Sequence, residues 1–141
     1  MDDAKIHELQ QWLIKAHHDI RSVRQLLAAD PPLRDTAAYH CQQAAEKALK
    51  AFLVLHDVSF PKTHLLVALV EQCRDINPRF AELTDVAEIL TPFATSFRYP
   101  GDVLEPAQDD VVAGLVLAEQ VVSFVSALMP ADVIRALHPR A

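Results

Sequence analysis

The sequence predicts an all-α fold: an antiparallel up-and-down bundle of four long helices with one short helix inserted. Three observations carry that expectation. Ala and Leu dominate the apolar set, and both favour helix over sheet. Only 2 glycines occur in 141 residues, too few for the many turns of a sandwich or barrel. Apolar positions recur every three or four residues, which is the helical period. With 51% hydrophobic and 23% charged residues, the chain has the make-up of one globular domain.

The first helix spans residues 4–29, because Ile6, Leu9, Leu13, Ala16, Ile20, Val23 and Leu27 form one apolar stripe. Asp30-Pro31-Pro32 ends it, since proline cannot continue the hydrogen-bond ladder. The second helix starts at Asp35 or Thr36 as cap and runs to about His56. Its inner face is Ala37, Cys41, Ala44, Ala45, Ala48, Phe52 and Leu55, and the many alanines let a neighbour approach closely. Tyr39, Gln43, Glu46 and Lys50 make its outer stripe, with His40 and Lys47 on the flank. Thr63 caps a short third helix that runs through Cys73.

A long fourth helix follows Asn77-Pro78, from about Phe80 to Tyr99, with a kink or break at Pro92. Pro100-Gly101 closes it, and Pro106 opens the fifth helix, about 107–129. That helix carries two adjacent apolar stripes, one through Val111, Leu115, Ala118, Val122, Val125 and Met129, the other through Leu117, Val121, Phe124 and Leu128. A one-sided surface helix needs only one stripe. A second burial partner is therefore expected, most simply a homodimer contact through Val121, Phe124 and Leu128, the alternative being a helix buried deep in its own bundle. Residues 1–129 form the bundle and 130–141 a peripheral tail with a small apolar patch, Val133, Ile134 and Leu137.

A net charge of −6 argues against a broad basic surface for duplex nucleic acid, though it leaves room for a local anion pocket. The acidic N-terminus runs straight into helix and reads as no export signal. The most apolar stretch, Val111 to Met129, is broken by Glu119, Gln120, Ser123 and Ser126 and suits no bilayer span. Cys41 and Cys73 stand apart and read as reduced, packed thiols of a cytoplasmic protein. No His or Cys pair has metal-ligand spacing, and no glycine-rich phosphate loop exists, so neither metal nor cofactor is expected.

The run Tyr39-His40-Cys41-Gln42-Gln43-Ala44-Ala45-Glu46-Lys47-Ala48-Leu49-Lys50-Ala51 resembles the second helix of HEPN domains (higher eukaryotes and prokaryotes nucleotide-binding). Trp12, Ala16 and Asp19-Ile20 in helix one, Lys62-Thr63-His64-Leu65 and Arg98-Tyr99-Pro100 agree in order and spacing. The likeness covers about residues 4–129. It implies a bundle of about five helices that is usually dimeric. Some members are metal-independent RNases acting as toxins or in defence. Others are nucleotide-binding or partner-binding modules. Bacterial members are often encoded beside a small nucleotidyltransferase partner.

The family's RNase signature is an arginine followed, after four to six residues, by a histidine. A fixed cation steadies the phosphorane charge while imidazole moves a proton near neutral pH. Arg98 suits the arginine, but Val103, Leu104 and Glu105 fill the three histidine positions, so the signature is broken. Arg34 and His40 have the right spacing but straddle a helix start, in the wrong place.

The remaining candidates each carry two readings. Arg98 and Tyr99 either hold a phosphate and stack a base, or complement a helix dipole. His64 meets a phosphate at the third helix or merely packs there. His40 and Lys47 extend that pocket or are solvated. The resemblance thus implies a non-catalytic nucleotide- or partner-binding module, with His40, Lys47, His64, Arg98 and Tyr99 as nucleotide site. The alternatives are an RNase using Arg98 with a non-standard base, and a structural adaptor.

Overall fold

The computed structural model describes residues 1–97, 100 and 105–137. Six α-helices occur among them: α1 (Asp3–Ala28), α2 (Arg34–Leu55), α3 (Leu66–Ile76), α4 (Thr84–Leu90), α5 (Gln108–Ser126) and α6 (Ala131–Leu137). No strand is present among the described residues. The all-α bundle expected from the sequence is what the chain forms.

Asp2 caps α1 by accepting a bond from the Lys5 amide at 2.8 Å. Leu9, Leu13, Ala16, Ile20 and Val23 are buried along the stripe that the periodicity marks. This stripe packs on α2, which in turn packs against α5. Lying at the centre, α2 has 13 buried residues, on every side of the helix. The expected outer stripe is therefore corrected: Gln43 and Glu46 are 8% and 5% exposed. Several faces of one helix are covered because α1, α3, the Thr91–Ala94 turn and α5 all pack on it.

The expected long fourth helix is three short pieces: a 3₁₀ segment Pro78–Leu83, then α4, then a second 3₁₀ segment Thr91–Ala94. Pro92 cannot donate to the ladder and crowds the preceding turn. Thr91 fills the break twice, donating its hydroxyl to the Ala87 carbonyl at 2.7 Å and accepting from the Leu66 amide at 3.1 Å. That second bond caps α3, which begins at Leu66. Thr63, the expected cap, instead accepts from the Leu65 amide at 3.0 Å, two residues before the cap position. The apolar side survives the break, since Leu83, Val86, Leu90, Phe93 and Ala94 are all buried.

Both stripes of α5 face into the protein's own bundle, which explains the broad apolar arc without a second chain. Val121 is 2% exposed, and Phe124 lies 4.9 Å from the Phe80 ring, edge to face. Leu128 is half-buried against the same core. The expected contact residues Val121, Phe124 and Leu128 are thus largely spent inside one protomer. The large apolar side chains that α5 leaves outside are Val112 (44% exposed) and Val116 (61%). Beyond α5, residues 131–137 form α6 against α1, with Val133 fully buried.

Candidate functional site

Among the described residues two carboxylates sit inside the bundle, and each holds a histidine and a lysine. Asp19 stands on the apolar stripe of α1 with its side chain 7% exposed. Its Oδ1 is 2.7 Å from His40 Nδ1, and its Oδ2 accepts from Lys47 Nζ at 2.6 Å. One heptad separates His40 from Lys47, so both come off the same side of α2 and meet the carboxylate from above and below. Asp19 therefore bolts α1 to α2.

Glu46 repeats the arrangement on another side of α2. Its Oε1 is 2.8 Å from His64 Nδ1, and Lys50 Nζ donates to Oε2 at 3.1 Å. Gln42 adds a third donor, bonding Glu46 Oε1 at 3.1 Å and the His64 carbonyl at 3.0 Å. Gln43 completes the chain by donating to Gln42 Oε1 at 2.8 Å. Burial pushes the Glu46 carboxyl up, yet the bonds from His64, Gln42 and Lys50 outweigh it, and the group titrates below its ordinary 4.5. Glu46 thus fixes the approach to α3 onto α2.

Of the expected site residues, His40 and Lys47 share one carboxylate and His64 faces another; the two clusters are separate. Arg98 and Tyr99 lie outside the described residues. Sequence reasoning missed the organising groups, Asp19, Glu46 and Gln42. A signal for Asp19 existed: it falls three residues after Ala16 and four before Val23, inside an apolar stripe where an unpaired charge is costly.

Two clefts open beside His40. One of about 480 Å³ runs between α1 and the start of α2, lined by His18, Arg21, Ser22, Gln25, Thr36 and His40. A smaller one of about 280 Å³ is walled by Tyr39 and Phe97 and shares His40 and Thr36 with the first. Among the described residues no three His, Cys, Asp or Glu side chains converge as a metal site. The thiols of Cys41 and Cys73 are buried, and burial pushes each up to about 12, so neither is a ready nucleophile. No helix among the described residues is long and apolar enough to cross a membrane.

The fold has a solved counterpart. The crystal structure of TT1696 from Thermus thermophilus superposes with a TM-score of 0.74 at 23% identity, covering 86% of this chain and 98% of that one. At that identity the likeness speaks for the fold alone. No curated protein matches the chain. Residues 9–128 match the HEPN domain family, a span that holds both carboxylate clusters, the Arg98 position and all of α5. The chain belongs to the HEPN domain family.

Proposed function

We propose that this HEPN domain is a non-catalytic module that binds a nucleotide or a small nucleotidyltransferase partner, as one half of a cytoplasmic toxin–antitoxin pair. The observation that supports it most is the histidine-free window after Arg98, where Val103, Leu104 and Glu105 stand. A carboxylate at Glu105 would repel the substrate phosphate that a histidine would serve. Candidate ligand groups stand at two places, His40 and Lys47 held by Asp19 and, separately, His64 held by Glu46. A homodimer is part of the proposal, now through the exposed Val112 and Val116 face of α5.

Incubation of a structured RNA with the protein in EDTA, beside Arg98→Ala and His64→Ala variants, tests the reading. The expected result is no cleavage, with nucleotide titration raising the melting temperature. Cleavage that survives EDTA and disappears in Arg98→Ala would establish the RNase alternative instead.

A further inference from the structure

We propose that the cleft between α1 and the first turns of α2 binds a phosphate ester carrying a free hydroxyl. Arg21 and His18 take the phosphate and His40 Nε2 takes the hydroxyl. This deepens the nucleotide-binding reading, on which the identity of the natural ligand rests.

An ionised carboxylate only accepts hydrogen bonds, so the 2.7 Å contact with Asp19 places a proton on His40 Nδ1. In the neutral ring Nε2 is then an acceptor on the side away from the core, and the His40 side chain is 28% exposed there. A hydroxyl is the donor such a nitrogen takes. The Asp19 charge itself is answered by Lys47 at 2.6 Å, which reduces its repulsion of an anion in the cleft.

Arg21 supplies the cation. Its neighbours on the same side of the bundle are committed elsewhere, Arg24 to Glu119 at 2.7 Å and Arg34 to Glu105 at 3.0 Å. Arg21 is exposed and makes no ion pair among the described residues. A guanidinium with its donors open is the side chain best shaped for a phosphate. Among the described residues no carboxylate lines this cleft, an uncommon property in a chain of net charge −6. Gln25 adds a further donor, while the Thr36 hydroxyl already donates to Asp35 Oδ1 at 3.4 Å and Ser22 to the His18 carbonyl at 2.8 Å, so both offer lone pairs to a sugar. The cleft offers about 480 Å³ and lies open to solvent, room for a small ester to lie along it. The adjoining cleft, lined by Tyr39 and Phe97 with Asp35 at its edge, would receive an aromatic base, if the ester carries one.

The test uses the full-length protein, ¹⁵N-labelled, titrated with ribose 5-phosphate, AMP and adenosine. Both esters are expected to shift amide signals in 18–26 and 36–40, and adenosine is not. Arg21→Ala should weaken both esters about tenfold, the size of a charge-assisted hydrogen bond, while Arg74→Ala on α3 binds as wild type. Arg21 is exposed, so its loss leaves the fold intact, checked by circular dichroism. Equal affinity in Arg21→Ala, or ester shifts confined to another face, would overturn the site and leave the binding-module reading standing. Ester binding in the cleft together with Arg98-dependent RNA cleavage would do the reverse. Failure of both esters to bind overturns the proposal.

Discussion

Glu46 shows what one buried charge does when three donors surround it. Its carboxyl ionises more readily in the folded protein than in the unfolded chain, because His64, Gln42 and Lys50 favour the anion more than burial opposes it. A depressed folded value means that its contribution is complete above 4.5, the unfolded value, and is lost as pH falls through the folded one. Urea unfolding between neutral and acid pH should therefore show an acid limb that Glu46→Gln flattens. A variant with the wild-type slope would assign that limb to other carboxylates. The same residue marks a limit of legibility. Glu46 and Lys50 at i,i+4 read from sequence as an exposed helix pair, whereas their side chains are 7% and 12% exposed. Periodicity places a residue on a face of its own helix. It does not say how many neighbours that helix has.

At the scale of elements, α5 and the broken segment before it are fitted to each other at Gly114. A Cβ on Gly114 would stand 2.5 Å from Phe93 Cε2, a distance that real atoms do not share. Alanine is otherwise the better helix former by about 1 kcal/mol. Overpacking a core commonly costs about 1–3 kcal/mol, and the Phe93 ring, 9% exposed, has little room to retreat. Gly114→Ala is therefore expected to lower stability by about 1 kcal/mol net, read as a lower urea midpoint with unchanged slope. A gain in stability would mean that the ring swings aside freely. Pro92 foretold the break beside Phe93, because its missing N–H acts locally and shows in the sequence. What replaced the long helix depended on Thr91 reaching the Leu66 amide, 25 residues away. No local pattern reports such a bond.

For the whole molecule, the first helix, the central helix and the class of the fold were legible, since their stripes are long and regular. The destination of the second stripe of α5 was not, because a stripe asks for burial without naming the partner. Val121 and Val116 separate the two destinations. Val121→Asp places a charge in the protomer core and should unfold the domain, whereas Val116→Glu should leave the melting temperature nearly unchanged. If the protein is a homodimer through the outer face of α5, sedimentation of Val116→Glu will give the 15.7 kDa species while wild type gives twice that mass. An unaltered dimer in Val116→Glu would move the interface elsewhere. The central position of α2 carries one more consequence. A helix enclosed by α1, α3 and α5 cannot release its amides to solvent while those neighbours stay docked. Deuterium should enter the α3–α4 region through partial openings and reach the middle of α2 only when the entire molecule opens, so the slowest amides there would measure the global free energy of unfolding.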